Sequence, residues 1–257
     1  MVDMLEKIAR IRAMKPAHRK IAALTAYDYP LARLLDESGI DIILVGDSLG
    51  MVVLGFPDTT SVTMEHIVHH CAAVVRGVKG ALVVADLPIG SCETPEAAVA
   101  NSRRLAEIGA GAVKVEGARF AAIAAIVETG IPVMAHLGML PQSVREEGGY
   151  HLKGKTPEQA DLLLEQARGV EAAGAFAVVL ELVKPDVATK ISEALEIPSI
   201  GIGSGASCDG QVLVTHDLIG LFPWFRPRFA KPEADVSVEI RAAVAAYRAR
   251  LQDQPSA

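Results

Sequence analysis

Short apolar runs alternate with longer segments of helical periodicity along almost the whole chain. The runs are rich in Val, Ile, Leu and Ala, the composition of strands that are buried on both faces. The segments between most of them carry apolar residues at spacings of three and four, which predicts helices. The predicted strands are "IAALTA" (21–26), "DIILVGD" (41–47), "ALVVAD" (81–86), "AVKVEG" (112–117), "IPVMAH" (131–136), "AFAVVLEL" (175–182), "IPSIGIG" (197–203) and "QVLVTH" (211–216).

Strand–helix alternation of this kind predicts a parallel sheet of the α/β class. Two of the helical segments, 94–109 and 156–174, begin at Thr-Pro and end at Gly, as helices often do. Eight units in a chain of 257 residues favour a closed (β/α)8 TIM barrel. A doubly wound open sheet is the alternative. We expect residues 1–257 to form a single catalytic barrel domain.

Two departures from a regular barrel stand out. Only "SGASCDG" (204–210) separates the last two strands, so no full helix fits there. Before the first strand, Leu5, Ile8 and Ile11 recur at helical spacing in "DMLEKIARI" (3–11). This predicts an extra N-terminal helix that either plugs the barrel floor or meets another subunit.

Composition and charge narrow the class of protein. The chain is 51% hydrophobic, which suffices for a large core, and its net charge is −6 with scattered Lys and Arg, which disfavours nucleic-acid binding. Three widely spaced cysteines indicate neither a disulfide framework nor a Cys-x-x-Cys metal site, and favour a reducing cytoplasm. We see no signal peptide and no membrane-spanning run. The last residues, 252–257, are expected to fray.

Carboxylates follow three successive apolar runs. Asp47, Asp86 and Glu116 each stand where a predicted strand ends. In a barrel these ends open onto one face, so the three groups would converge. Their mutual repulsion would oppose ionisation unless a cation were present. Oxygen ligands suit Mg²⁺, and the lack of a neighbouring Cys/His cluster disfavours zinc.

Any one of these acids could instead cap a helix, but three on successive strands favour a metal site. Lys114 lies two residues before Glu116 and therefore points to the same side of the strand. It is a candidate to bind a substrate carboxylate, or to form a Schiff base if its pKa is depressed. Its structural alternative is a pairing with Glu116.

Two further titratable residues complete the candidate site. His136 ends the fifth run and either donates to a substrate oxygen or has a structural role. Glu181 lies in "VVLELV" (178–183), where apolar surroundings should raise its pKa, as a general base requires. An ion pair with Lys184 is its alternative. Together these groups suit proton abstraction beside the carbonyl of a 2-oxo acid, with a metal ion stabilising the enolate.

The chain resembles the ketopantoate hydroxymethyltransferase family, and the resemblance covers nearly its whole length. The most specific motif is "ILVGDS" (43–48). The other matching segments are "LTAYDY" (24–29), "GIDIILVGDSLGMVVLGFPDTTSVTMEH" (39–66), "VVADLPIGS" (83–91), "GAGAVKVEG" (109–117), "PVMAHLGMLPQSV" (132–144), "GGYHLKGK" (148–155), "LEL" (180–182) and "IPSIGIGSGASCDGQVLVTHDLIGL" (197–221).

The resemblance implies a reaction and an assembly. Methylenetetrahydrofolate would donate a one-carbon unit to 3-methyl-2-oxobutanoate, giving 2-dehydropantoate on the way to pantothenate. The family implies a Mg²⁺-dependent barrel that forms a decamer. By motif, the resemblance implies that Asp47, Asp86 and Glu116 bind the metal, the last directly or through water. It implies that the oxo acid is bound by Asp47, Ser48, Asp86, Lys114 and His136. Glu181 is implied to be the proton acceptor.

Some positions depart from the family's usual pattern. Ser204 and Cys208 stand where Ala and Thr are common, and "LFPWFRPRFAKP" (221–232) is also unusual. These departures concern the folate pocket or subunit contacts. Two long glycine-bearing loops, 48–62 and 143–155, are expected to act as mobile lids.

Other functions remain open at this stage. A Mg²⁺-dependent lyase or aldolase acting on a 2-oxo acid would share the enolate chemistry and need no folate. A non-catalytic ring-forming subunit is a second alternative, disfavoured by the intact acids and lysine. His66 and His70 lie one helical turn apart but lack the Glu of the zincin motif, so we interpret them as ordinary surface residues.

Overall fold

The computed structural model describes residues 4–252, and its strands form a closed parallel barrel in chain order. The predicted (β/α)8 barrel is confirmed, and the open-sheet alternative is wrong. The strands are β1 Ile21–Thr25, β2 Ile42–Val45, β3 Leu82–Asp86, β4 Ala112–Glu116, β5 Val133–Gly138, β6 Ala177–Glu181, β7 Ser199–Ile202 and β8 Gly210–Leu213.

Helices follow most strands, and several begin at the caps that the sequence indicated. Thr94 and Thr156 accept a hydrogen bond from the backbone of the residue three positions on, and Pro occupies the first turn. As expected, no helix separates β7 from β8. The helices are α1 Met4–Met14, α2 Tyr29–Glu37, α3 Leu49–Val52, α4 Met64–Gly77, α5 Pro95–Glu107, α6 Phe120–Glu128, α7 Pro157–Ala172, α8 Pro185–Ala194, α9 Thr215–Leu218 and α10 Val236–Gln252, with 3-10 turns at Thr59–Ser61 and Pro141–Ser143.

The strands face two different apolar layers because successive side chains point to opposite sides. On β2, Ile43 and Val45 belong to the layer shared with the helices. Ile42 and Leu44 belong to the layer inside the barrel. The same alternation runs around the barrel and fixes which side chains reach its interior.

Helix α1 closes the floor of the barrel. Its Ile8, Ile11 and Met14 are buried in the interior layer, together with Ile21 at the start of β1. The floor-plug interpretation of the N-terminal helix therefore fits the packing. Leu5, which the helical pattern put on the same face, is instead 60% exposed, so that detail of the prediction is wrong.

The chain divides into a compact unit that ends at Val212 and a second that begins at Leu213. The eighth strand was predicted to reach residue 216 but ends at Leu213, because Thr215 starts α9 and its carbonyl accepts the hydrogen bond of Ile219. In the described residues no helix is both long and apolar enough to cross a bilayer. The predicted fraying of the C-terminus concerned residues 252–257: Gln252 is the last residue of α10, and residues 253–257 lie outside the described ones. The single-domain assignment of residues 1–257 stays a prediction.

Candidate active site

The titratable side chains lie in the uppermost layer of the barrel interior. Asp86 shares the inward-facing parity of Leu82 and Val84 on β3, and Glu181 shares that of Val179 on β6. The same parity directs Lys114, Glu116 and His136 inward. Asp47 lies two residues beyond the end of β2 rather than on the strand. The residues at this mouth are no more than 8% exposed: Asp47, Asp86, Lys114, Glu116, His136 and Glu181.

Asp86 connects three neighbouring strands. Its Oδ2 accepts the backbone N–H of Asp47 at 2.9 Å. Its Oδ1 lies 2.6 Å from the Nζ of Lys114, the residue directly beside it in the strand register. The sequence offered an ion pair with Glu116 as the structural role of Lys114, but Lys114 forms its ion pair with Asp86. Neither Asp47 nor Asp86 is used as a helix cap, because α3 has Ser48 at its N-cap position and Asp86 is bonded as above.

Glu116 is held from above by the loop after β5. Its Oε1 accepts the backbone N–H of Gln142 at 2.8 Å, and the Gln142 side chain donates to the Leu87 carbonyl at 3.0 Å. Its Oε2 lies 3.8 Å from His136 Nδ1. Gln142 was not singled out from the sequence, because its partner lies 26 residues away along the chain.

Glu181 faces His136 across the strand pair. Glu181 Oε2 lies 3.3 Å from His136 Nε2. Lys184, the alternative partner of Glu181, instead pairs with Asp186 on an exposed surface. The residue after Glu181, Leu182, has a φ of +46°, a left-handed conformation that non-glycine residues adopt only when their surroundings hold them there.

The backbone around Glu181 is fixed by two residues that sequence reasoning did not assign. Gly138 has a φ of +96°, and an added Cβ would lie 2.3 Å from the Glu181 carbonyl oxygen. Ser204 is fully buried, donates to the Leu180 carbonyl at 2.7 Å and accepts the N–H of Val183 at 2.9 Å. Ser204, one of the positions that depart from the family's usual pattern, therefore hydrogen-bonds the backbone at the end of β6.

Burial and crowding shift the protonation of the whole cluster. Burial, and then the charge of Asp86, raise the pKa of Asp47. Burial, opposed by Lys114, raises the pKa of Glu181 to about 8. Burial, and then Lys114, lower the pKa of His136 to about 3, so the imidazole is neutral at physiological pH. Burial alone would lower the pKa of Lys114, but the charges of Asp86, Asp47 and Glu116 outweigh it and raise the pKa.

This cluster has the chemistry of a divalent-cation site. Among the buried side-chain atoms of the described residues that make no hydrogen bond are two carboxylate oxygens of this cluster, Asp47 Oδ2 and Glu116 Oε2. Carboxylates outnumber the single buried lysine, so added positive charge would relieve their repulsion. Over the same residues no three His, Cys, Asp or Glu side chains gather closely enough to hold a metal by themselves. The donor set thus fits an ion that takes few protein ligands and keeps waters, as Mg²⁺ does.

Ser48 lies at the mouth with an unusual bonding pattern. It occupies the N-cap position of α3, yet its side chain caps no backbone N–H. Its hydroxyl lies instead 2.7 Å from that of Tyr27, which is 1% exposed. His70, discounted as a metal ligand, bonds the Tyr27 carbonyl through Nδ1 at 2.7 Å. His66 completes a capping box with Thr63.

The two predicted lid loops contact each other. Arg145 pairs with both carboxylate oxygens of Asp58, at 2.7 and 3.1 Å. Thr59 donates to the Pro141 carbonyl at 3.0 Å. The hydrogen bond from Arg145 is the main reason that the pKa of Asp58 is lowered to about 2. These contacts join the loops that follow β2 and β5.

A closed parallel barrel with buried acids, a lysine and a histidine at the carboxyl ends of its strands defines a (β/α)8-barrel enzyme. The model of the ketopantoate hydroxymethyltransferase family matches residues 6–256. The chain belongs to this family of transferases.

Named relatives agree over most of their length. A 3-methyl-2-oxobutanoate hydroxymethyltransferase of Carboxydothermus hydrogenoformans is 49% identical over 251 residues, covering 96% of this chain and 91% of the relative. A 3-methyl-2-oxobutanoate hydroxymethyltransferase of Ignicoccus hospitalis is 54% identical over 228 residues, covering 88% of this chain and 86% of the relative.

More distant solved structures share the fold. A phosphoenolpyruvate phosphomutase from Streptomyces platensis subsp. rosaceus superposes with a TM-score of 0.65 at 18% identity, over 96% of this chain and 88% of that one. A phosphonopyruvate hydrolase complexed with oxalate and Mg²⁺ gives a TM-score of 0.62 at 16% identity, over 96% and 87%. At these identities the likeness shows the barrel alone.

Proposed function

We propose that this chain transfers a hydroxymethyl group from 5,10-methylenetetrahydrofolate to 3-methyl-2-oxobutanoate, giving 2-dehydropantoate. The observation that carries the proposal is the buried cluster of Asp47, Asp86, Glu116 and Lys114 facing Glu181 inside one barrel mouth. The names of the relatives support the same step. A folate donor distinguishes it from a folate-independent lyase or aldolase on a 2-oxo acid.

Asp47 and Asp86 would hold one Mg²⁺ ion, with Glu116 acting directly or through a water molecule. The buried oxygens of Asp47 and Glu116 that receive no hydrogen bond support this assignment. When bound, the ion would supply positive charge for the oxygen on which negative charge develops as the enolate forms. The Mg²⁺ and oxalate bound by the phosphonopyruvate hydrolase of the same fold are compatible with this assignment.

The cationic and hydroxyl groups at the barrel mouth would bind the substrate. Lys114, charged because three acids surround it, would attract the carboxylate of the oxo acid. The Ser48 hydroxyl would donate a hydrogen bond to a substrate oxygen. His136 is neutral and would contribute a hydrogen bond rather than a charge.

Glu181 would act as the base. Its pKa of about 8 brings it close to the operating pH, where a carboxylate can both accept and release a proton. The single C3–H bond of the substrate breaks, its proton passes to the Glu181 carboxylate, and its electron pair enters the enolate. The enolate carbon then forms a bond to the methylene carbon of the folate as one of the two C–N bonds of that carbon breaks. Water replaces the remaining C–N bond, which supplies the hydroxyl oxygen of 2-dehydropantoate and releases tetrahydrofolate. His136 Nε2 lies 3.3 Å from this carboxylate and would orient it by donating a hydrogen bond.

Exchange of the C3 hydrogen in D2O tests the first half of this reaction. With Mg²⁺ and no folate, we expect the wild type to exchange that hydrogen and Glu181→Gln to lose the exchange. Asp86→Ala should abolish the Mg²⁺-dependent exchange. Product should form only when methylenetetrahydrofolate is added. Exchange by Glu181→Gln at the wild-type rate would disprove the assigned base, and turnover without folate would favour the lyase or aldolase.

We further propose that the enzyme acts in the cytoplasm as a homo-oligomer, a decamer by family resemblance. Ile240, Val244, Tyr247 and Leu251 recur along α10 at spacings of four, three and four and are each about half exposed. Such a stripe is typical of a helix that packs against a partner. The three cysteines are all free thiols, which suits a reducing compartment. Sedimentation of the purified protein would give the subunit number.

A further inference from the structure

Tyr27 lies beneath the candidate substrate site without facing it directly. The residue follows β1, its side chain is 1% exposed, and its hydroxyl lies 2.7 Å from Ser48 Oγ. The neighbouring residues of the same motif have local roles: Asp28 caps α2 by accepting from Leu31, and Thr25 ends β1.

We propose that Tyr27 is a positioning residue for Ser48, whose hydroxyl it orients as a hydrogen-bond donor to an anionic oxygen of the 2-oxo acid. This inference rests on the proposed function, because it requires Ser48 to contact that substrate.

The proposal assigns one direction to these hydrogen bonds. Thr25 also hydrogen-bonds the Tyr27 hydroxyl. If Thr25 donates to Tyr27 and Tyr27 donates to Ser48, the Tyr27 and Ser48 oxygens each accept one bond and the hydrogen of Ser48 is left for the substrate. Burial, together with Asp47 and Asp86, raises the pKa of Tyr27, so the phenol retains the hydrogen that it donates. The three hydroxyls then form a chain pointing from the barrel wall to the mouth.

The local backbone supports a dedicated role for the Ser48 hydroxyl. Serine is a favoured N-cap, and Thr63, Thr94 and Thr156 each use their hydroxyl in that way. Ser48 precedes α3 with right-handed helical backbone angles (φ −54°, ψ −19°) rather than the extended angles of those threonines, and its side chain makes no capping hydrogen bond. Its hydroxyl is thereby available for Tyr27 and for a ligand.

Both ends of the contact are held in place. His70 on α4 bonds the Tyr27 carbonyl at 2.7 Å, which fixes the backbone that carries the phenol. On the other side, a Cβ at Gly46 would lie 3.1 Å from Ser48 Oγ, so glycine at this position leaves room for the hydroxyl. A fixed donor loses little conformational entropy when the substrate binds.

A double-mutant cycle tests the proposal. We expect Tyr27→Phe to raise the KM for 3-methyl-2-oxobutanoate about fivefold, the effect of losing roughly one hydrogen bond, with a much smaller change in kcat. Ser48→Ala should raise it at least as much. In the Ser48→Ala background, Tyr27→Phe should add nothing, because its only route to the substrate is gone. Tyr29→Phe, which alters a 42% exposed tyrosine two residues on, is the matched control and should leave KM unchanged.

Multiplicative effects in the double variant, or an unchanged KM for Tyr27→Phe alone, would overturn the proposal. The free energy of unfolding of each variant shows whether folding is intact. Should Tyr27→Phe fold poorly, Thr25→Val removes the first donor of the chain and should raise KM in the same direction, again only when Ser48 is present. Failure of the proposed function can be distinguished from failure of the Tyr27 proposal. In the first case the wild type itself would neither exchange the C3 hydrogen nor form product.

Discussion

Lys114 Nζ lies 2.6 Å from Asp86 Oδ1, and both side chains are at most 6% exposed. The two residues are direct neighbours across the β3–β4 register. Lys114 is therefore the countercharge of the whole acid cluster as well as the candidate anchor of the substrate carboxylate.

Removal of that countercharge should be costly for the metal-free protein. We expect Lys114→Met to lower the free energy of unfolding by about 3 kcal/mol at pH 8 in EDTA, because Asp86 is left buried without its partner. The loss should shrink at pH 6, where Asp47 and Glu181 take up protons and reduce the negative charge of the cluster. Urea unfolding at both pH values measures it. Lys190→Met, at an exposed lysine of α8, is the control and should stay within about 0.5 kcal/mol of the wild type. Equal losses for the two variants would contradict the pairing.

The raised pKa of Glu181 predicts how stability depends on pH. Glu181 has a pKa of about 8 in the folded chain against 4.5 as its ordinary value, so between these pH values the folded state binds more protons than the unfolded state. Stability of the metal-free protein should therefore fall as pH rises from 6.5 to 8, by up to about 1.4 kcal/mol per pH unit for each such group.

His136 acts in the opposite sense but outside this interval. Its pKa is lowered from 6.5 to about 3, so its contribution grows with pH and is complete above about 6.5. Urea unfolding in EDTA at pH 6.5, 7.25 and 8 therefore measures the contribution of the carboxylates to the pH dependence of stability. Glu181→Gln should flatten the fall in part, since Asp47 and Glu116 remain. A wild-type profile that is flat or rising over this range would show that these acids are ionised in the folded protein.

The acid cluster could be predicted from the sequence because two periodicities combine. Strand runs place Asp86, Glu116 and Glu181 at carboxyl ends, and the period of two puts them on the interior side with Lys114. Neither inference needs knowledge of distant contacts. The same reasoning misplaced the partner of Lys114, because residues two apart on a strand share a side, whereas Asp86 lies beside it on the next strand.

Residues that support the site could not be predicted in this way. Gln142 reaches Glu116 across 26 residues of chain, Tyr27 reaches Ser48 across 21, and Ser204 reaches Leu180 across 24. Each is a polar residue in or beside a loop, where no periodicity fixes the direction of its side chain. Only the closed barrel sets these partners side by side.

The ion pair between Asp58 and Arg145 predicts coupled mobility of the two loops. Arg145 is largely exposed, so we expect Arg145→Gln to change the free energy of unfolding by less than about 1 kcal/mol. Amide hydrogen exchange should nevertheless become faster in both loops, 48–62 and 143–155, because the contact that joins them is lost. Asp58→Asn should have the same effect, and the double variant no more.

A matched control separates loop coupling from general loss of charge. Arg33→Gln breaks a surface pair with Glu37 in which both side chains are 57% exposed. It should leave exchange in the two loops unchanged. Faster exchange in only the loop that carries the substitution would show that the loops move independently.

The last prediction concerns the floor of the barrel, where Lys15 follows α1. Its Nζ donates to the Ser192 carbonyl at 2.6 Å and pairs with Asp209 Oδ2 at 2.9 Å, which also accepts from the Ser199 N–H. Because both charged groups are 17–18% exposed, we expect Lys15→Met to lower the free energy of unfolding by about 2 kcal/mol, less than for a fully buried pair. The kcat at saturating substrate should persist, since the active-site acids lie at the opposite end of the strands. Urea unfolding and turnover of the same sample measure both, with Lys190→Met at an exposed lysine as the control. A loss of kcat without a loss of stability would mean that the floor acts on the chemistry itself.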